Sequence, residues 1–281
     1  MAACDKAAAY VYLVRCAGGQ LYAGWTNDPA ARLYAHKSGN GARYTRAAGA
    51  KALAYLEPCA DKNTALRREA ALKKLTKAQK EALCAAWRAE SCPRLSIATR
   101  ADAADILHIY NWYVENSTAT FQITPSTVAE YEEWVEHTLT VAPLILARNA
   151  HGELLGYACA HRWHEREAFD WSVETTIYCA PAARGTGAAS VLYDTLLELL
   201  TAMGYWNAYA LIADPNPASE RFHEKHGYTC VGRTPHTGFK AGHWQGLSTW
   251  WRQLHRGNKA PEPVHRLSAE QIDAILRTRS A

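Results

Sequence analysis

Ser172-Val173-Glu174-Thr175-Thr176-Ile177-Tyr178-Cys179, followed five residues later by Arg184-Gly185-Thr186-Gly187-Ala188-Ala189-Ser190, is the stretch on which the fold of this chain turns. The first run alternates and is rich in β-branched residues, which predicts a strand. The second opens a segment over Gly185–Met203 with apolar spacing at Val191, Leu192, Thr195, Leu196 and Leu199, which predicts a helix. Two glycines between strand and helix let the backbone approach a pyrophosphate, and the free N–H groups of the helix start can hold it. The turn alone fits a plain tight turn or other phosphate loops equally well.

Elements on either side fill out a mixed α/β domain over 94–256. Upstream are predicted a strand at Leu95–Thr99 and helices at Ala101–Glu115 and Ser126–Thr138. Strands at Pro143–Arg148 and Glu153–Arg162 then flank the turn Asn149-Ala150-His151-Gly152. Downstream come a strand at Asn207–Ala213, a helix at Pro217–His226, and strands at Thr229–Gly232 and Gly246–Trp251. The tail, 257–281, holds a capping-box pattern, Ser268 with Gln271, before a short helix over Ser268–Thr278.

The first 90 residues read as a separate β-β-α-β-α-α domain. Tyr10–Arg15 and Gln20–Trp25 flank the turn Ala17-Gly18-Gly19. Asp28-Pro29 caps a helix running to Lys37. A Gly-rich loop, Ser38–Arg43, precedes a strand at Ala52–Leu56 and helices at Lys62–Lys74 and Lys77–Trp87. Charge is uneven: residues 1–92 hold 15 Lys/Arg against 7 Asp/Glu, a formal +8, and the remainder holds 16 against 20, a formal −4. The basic block suits a polyanion such as DNA, or is simply a solvated surface. Eight scattered cysteines without a C-x-x-C pair, no apolar run of membrane length and no leader-like start are expected of a cytoplasmic protein with reduced thiols.

Together the strand, the Gly-rich turn and Asn216-Pro217-Ala218-Ser219…His223…Gly227-Tyr228 resemble the GNAT superfamily of acetyltransferases. The resemblance implies that acetyl-CoA is held by the strand backbone at Ile177, Tyr178 and Cys179. It implies further contacts at Arg184, Gly185, Thr186, Gly187, Ala188, Ala189 and Ser190, and at Asn216 and Ser219. Acetyl transfer requires a deprotonated amine and a stabilised oxyanion. Glu174 is the first candidate for general base. His223 is the second, or else the proton donor to the departing thiolate.

Further matches resemble the phosphinothricin/methionine-sulfone acetyltransferases in particular: Ile109-Tyr110-Asn111, Thr118-Ala119-Thr120-Phe121, Trp134, Pro143, Gly156-Tyr157-Ala158, Arg166, Trp171-Ser172-Val173-Glu174 and Gly238-Phe239-Lys240-x-Gly242-x-Trp244. They imply an amino-acid-like amine as acceptor, with Arg166 for its anionic end and Phe121, Phe169 and Trp171 as apolar walls. Arg166 equally fits a surface arginine in the charged run His164–Glu167. The departures, Trp244-Gln245-Gly246 for a usual Trp-x-Asp and Asp170-Trp171 for smaller or basic residues, fall on the acceptor side. A protein or peptide amine is the alternative acceptor, with the first domain then only binding nucleic acid. The Trp-rich run Trp244–Trp251 fits either a homodimer edge or the core.

Across residues 8–88 the chain resembles the GIY-YIG nuclease family. The matching residues are Tyr10-Val11-Tyr12, Leu21-Tyr22-Ala23-Gly24, Arg32, His36, Gly39, Gly41, Tyr44-Thr45 and Ala65-Leu66-Arg67-Arg68-Glu69. Tyr10-Val11 stands for the first Gly-Ile and Ala23 for the middle Ile. The resemblance implies that Glu69 holds one Mg²⁺ or Mn²⁺ and Arg32 the scissile phosphate. Tyr12, Tyr22 and His36 then position or deprotonate the attacking water, and DNA is the implied partner.

Overall fold

The computed structural model describes residues 9–91, 93–183, 186–257 and 260–280. The chain forms two compact units, one from the part before residue 92 and one from most of the part after it.

The first unit is a three-stranded antiparallel sheet, β1 (Ala9–Cys16), β2 (Leu21–Thr26) and β3 (Ala50–Cys59), with β1 central. The β1–β2 turn closes on a Cys16 N–H to Gln20 carbonyl bond of 2.8 Å, with Gly19 at φ 79°. Helix α1 (Pro29–Lys37) starts where the Asp28 carboxylate accepts from the Ala31 N–H. Asp61 does the same for α3 (Lys62–Lys74), bonding the Thr64 N–H at 2.7 Å. Before α4 (Lys77–Ser91), Thr76 and Gln79 cap each other's backbone N–H groups. Val11, Leu13, Ala65 and Leu72 are fully buried in the core. Each large side chain so removed from water contributes about 1.5–3 kcal/mol.

One element departs from expectation. A second helix, α2 (Arg43–Ala48), stands between α1 and β3, so the order is β-β-α-α-β-α-α. It has no side-chain cap and only one buried residue, Thr45. A turn and a half following Gly39 and Gly41 carries no readable helical period.

The second unit is a seven-stranded sheet in the order β4-β5-β6-β7-β8-β10-β9. The strands are β4 (Arg94–Ile97), β5 (Ile145–Arg148), β6 (Leu154–Arg162), β7 (Ser172–Cys179), β8 (Asn207–Asp214), β9 (Thr229–Lys240) and β10 (His243–Gln253). Among the described residues β7 and β8 form the one parallel pair. Helices α5 (Ala103–Asn116) and α6 (Val128–Val141) cover one face. On the other, α7 (Ala188–Ala202) and α9 (Ala269–Ser280) pack on the core. Helix α8 (Pro217–Lys225) connects β8 to β9.

Strand β7 pairs with β6 from Val173 to Cys179 but with β8 only over Ser172–Glu174. The sheet therefore splays beyond Glu174. At the fork the Thr175 hydroxyl donates to the Tyr209 carbonyl at 2.8 Å. With its one proton used there, it accepts from the buried Tyr193 and Tyr228 hydroxyls at 2.7 and 2.9 Å.

Helix α7 begins three residues later than expected, behind Gly187 at φ 95°. Strands β9 and β10 extend well past their expected spans. Pro235 and the glycines suggest a loop, but β9 is an edge strand, where proline is tolerated, and register shifts absorb the mismatch. Their hairpin turns through Ala241 and Gly242, both at positive φ. Trp250 is buried in the core, whereas Trp244 is 57% exposed beside Phe239. The tail helix α9 is capped by Ser268 and Gln271 and buries Leu276 against this unit.

Candidate functional sites

In the first unit, β1, β2 and α1 bring four of the expected residues into contact. Tyr12 stands opposite Gly24 in the β1–β2 register and diagonal to Tyr22. A side chain at 24 would overlap the Tyr12 phenol, so glycine there lets the ring lie across β2. Arg32 and His36, one turn apart on α1, both reach it. Arg32 Nε donates to the Tyr12 hydroxyl at 3.1 Å, and His36 Nε2 lies 2.7 Å from the same oxygen. The Tyr22 ring meets the His36 ring edge-on at 5.4 Å and stacks on Tyr44, which is half exposed.

Burial raises the Tyr12 phenol pKa, and the Arg32 guanidinium opposes that rise. Burial, then the charge of Arg32, lowers that of His36. Glu69, on α3, is near enough for its charge to act on both Tyr12 and Arg32. Its side chain is 14% exposed and bonds Lys73 at 2.8 Å. Among the described residues no group of three His, Cys, Asp or Glu forms. A single shielded carboxylate fits a hard cation that keeps waters and takes phosphate oxygens, as Mg²⁺ does. Thr45, quoted above without a role, joins this site through His36 Nδ1 at 2.7 Å.

In the second unit a cleft of about 410 Å³ opens beside the splay. Glu174, Thr176 and Tyr178 of β7 form its floor, with Tyr157 and His161 of β6. Tyr110 of α5 and Tyr131 and Trp134 of α6 wall it. Burial pushes the Glu174 carboxyl above its ordinary pKa. Among the described residues no hydrogen bond or ion pair reaches that carboxylate. His161 faces Glu174 in the β6–β7 register, with Nε2 3.5 Å from the buried Cys159 thiol. Burial lowers its pKa too.

Beyond Glu174, Ile177, Tyr178 and Cys179 lie on the strand edge that β8 has left. The Tyr113 hydroxyl donates to the Cys179 carbonyl at 2.8 Å. Thr186 and Gly187 lead into the first turn of α7, with Ala188, Ala189 and Ser190; Lys225 bonds the Ser190 hydroxyl at 3.0 Å. Arg184 and Gly185 lie outside the described residues. Asn216 caps α8, accepting from the Ser219 N–H.

Four expected site residues fall elsewhere. His223 is buried away from the cleft, edge-on to Tyr193 and Tyr228 and bonded through Nδ1 to the Ser219 carbonyl at 2.8 Å. Burial lowers its pKa to about 4, so it is neutral near pH 7. Phe121 packs against Gly238, where any side chain would overlap its ring. Arg166 is exposed at the start of a 3₁₀ turn. The Trp171 indole N–H donates to the Glu262 carbonyl at 2.6 Å and lines a different cavity, with Arg162 and Arg266. The reason is local: Trp171 precedes β7 and anchors the tail segment, while α5 and α6 supply the aromatic walls over Glu174. Trp134 was a family-matching residue without a role, whereas no signal in the sequence separated Tyr131 from ordinary core aromatics.

Residues 8–82 match the model of the GIY-YIG catalytic domain, and residues 106–228 that of the acetyltransferase (GNAT) family. A phosphinothricin N-acetyltransferase of Streptomyces viridochromogenes is 37% identical over 167 residues, 59% of this chain and 90% of that one. An L-methionine sulfoximine/L-methionine sulfone acetyltransferase of Pseudomonas aeruginosa is 34% identical, over 57% of this chain and 94% of its own. A UPF0213 protein of the same species is 52% identical over 73 residues, 26% of this chain and 70% of that one. Among solved structures, a phosphinothricin acetyltransferase from Sinorhizobium meliloti in complex with acetyl-CoA superposes with a TM-score of 0.59. It is 32% identical and covers 61% of this chain and 94% of its own.

Proposed function

The chain belongs to the GNAT family of acetyltransferases and carries a GIY-YIG domain at its N-terminus, and from that premise we propose that it acetylates the amine of a small amino-acid-like acceptor, Glu174 being the base. The observation that carries this is the Glu174 carboxylate, shielded and without a partner among the described residues, on the floor of an aromatic cleft beside the splayed strands. An acceptor ammonium entering the cleft meets the faces of Tyr131 and Trp134, which attract cations. Glu174 takes its proton, directly or through one water, and frees the lone pair. The raised pKa brings the carboxyl toward the working pH, where proton transfer is most effective. Acetyl-CoA, when bound, supplies the activated acyl group. The backbone of Ile177–Cys179 is the edge suited to hold its extended arm, and the start of α7 suits its pyrophosphate.

The relatives' names support phosphinothricin and methionine sulfone or sulfoximine as the first acceptors to try. Thiol release from acetyl-CoA should be saturable with at least one of them in a panel that includes free amino acids and basic peptides. Turnover confined to peptides would move the acceptor to the protein class.

For the first unit we propose hydrolysis of DNA phosphodiesters. Glu69 would hold a divalent cation, which supplies charge neutralisation at the phosphate. Arg32 clamps a phosphate oxygen, and Tyr12 and His36 handle the proton of the attacking water. Cleavage of branched or nicked DNA with Mn²⁺, lost in Glu69→Ala, is the expected result.

A further inference from the structure

We infer that Thr45 is a positioning residue of the first unit: its hydroxyl fixes His36 in the Nδ1–H form, leaving Nε2 bare to take the proton of Tyr12. The inference deepens the phosphodiester-cleavage reading above and rests on it for its catalytic consequence.

Thr45 Oγ1 lies 2.9 Å from the Ala42 carbonyl oxygen. A carbonyl only accepts, so the single hydroxyl proton is used there. What remains on Oγ1 is acceptor capacity, and His36 Nδ1, 2.7 Å away, must therefore carry a hydrogen. A neutral imidazole carries one, so Nε2 is bare. The Tyr12 hydroxyl, 2.7 Å from Nε2, then has to donate to it. Arg32, which has no acceptor, donates from Nε to the Tyr12 oxygen.

Every bond in the chain thus has one direction: Arg32 to Tyr12, Tyr12 to His36, His36 to Thr45, Thr45 to Ala42. Tyr12, His36 and Thr45 are at most 2% exposed, so bulk water does not break into the bonds among them. Burial and the nearby guanidinium keep the ring neutral. Gly41 contributes by its smallness, since a side chain there would overlap the His36 ring.

The consequence is a proton step with a defined acceptor. As the attacking water gives its proton to the Tyr12 oxygen, the Tyr12 O–H bond breaks and an Nε2–H bond forms, so the phenol is kept and the imidazolium retains its Nδ1–H bond to Thr45. The hydroxide so formed is the nucleophile at phosphorus. In the other tautomer Nε2 already bears a hydrogen, and the Tyr12 proton has nowhere to go.

The test is imidazole nitrogen NMR on the full chain labelled with ¹⁵N at histidine, the His36 signals identified by their loss in His36→Gln. Wild type and Thr45→Ser should show a protonated Nδ1 and a bare Nε2 on His36, and Thr45→Val should move the population toward Nε2–H. A wild type already in the Nε2–H form, or an unchanged tautomer in Thr45→Val, overturns the inference. Should Thr45→Val not fold, wild type and Thr45→Ser decide. Single-turnover cleavage of branched DNA should fall about 10²-fold in Thr45→Val with DNA affinity unchanged, the size of one general-base contribution. The tautomer is read without DNA, so a wild type that cleaves nothing removes the nuclease reading alone.

Discussion

At the scale of single residues, the same titratable types take opposite roles because of what surrounds them. Glu174 and His223 are both shielded from water, but Glu174 lines an open cleft with no partner among the described residues, whereas His223 is bonded to the Ser219 carbonyl inside the core. The neutral His223 makes a stability prediction. Its folded pKa of about 4 lies below the ordinary value near 6.5. Between these values the unfolded chain binds the proton and the folded one does not, so stability is lost as pH falls. Urea unfolding should show a loss on the order of 3 kcal/mol between pH 7 and pH 4 that His223→Gln lacks. A curve equally steep in the variant would assign the acid loss to other groups, His226 and His36 among them. The positions of Glu174 and His223 could be picked out in the sequence, since both belong to a motif. Their environments could not, because burial is decided by which helices cover the sheet.

Among the elements, long periodic ones were legible and short irregular ones were not. Strand β7 appears at the residues expected, because alternation and β-branched content agree over eight positions. Helix α2 was missed because six residues behind two glycines carry no period, yet it brings Thr45 to His36. The walls of the cleft over Glu174 differ from the expected residues for a related reason. Phe121, Arg166 and Trp171 stand near motif residues in sequence, but the cleft is built from α5 and α6 over β7, contacts of long range. The fork between β7 and β8 is likewise invisible in sequence. Thr175 holds it by satisfying Tyr193, Tyr228 and the Tyr209 carbonyl at once. Thr175→Val keeps the shape and strands those groups in the core, each costing about 1–3 kcal/mol. Thermal unfolding of Thr175→Val should fall by roughly 5–10 °C, while Thr175→Ser should stay near wild type. Equal stability of all three proteins would show that the fork needs no such pin.

Across the whole molecule, two domains of different charge and family share one chain. The basic first unit gathers Tyr12, Arg32 and His36 near one shielded carboxylate, Glu69; the acidic remainder holds an aromatic cleft lined by two carboxylates, Glu130 and Glu174. Among the described residues no helix is long and apolar enough to cross a membrane. Fold-level organisation was legible because each half carries an ordered set of motifs over its length. The lining of the cleft over Glu174 was less so, because it comes from residues of α5, α6, β6 and β7 that meet only in the fold. The central claim is that Glu174 removes the acceptor's proton. Its most direct test is the pH dependence of kcat/KM for acetyl transfer, in wild type and Glu174→Gln. Wild-type activity should rise with pH through a single deprotonation above the ordinary carboxylate range, and Glu174→Gln should lose about 10²–10⁴-fold together with that limb. A Glu174→Gln enzyme with near wild-type turnover and the same ascending limb would contradict it.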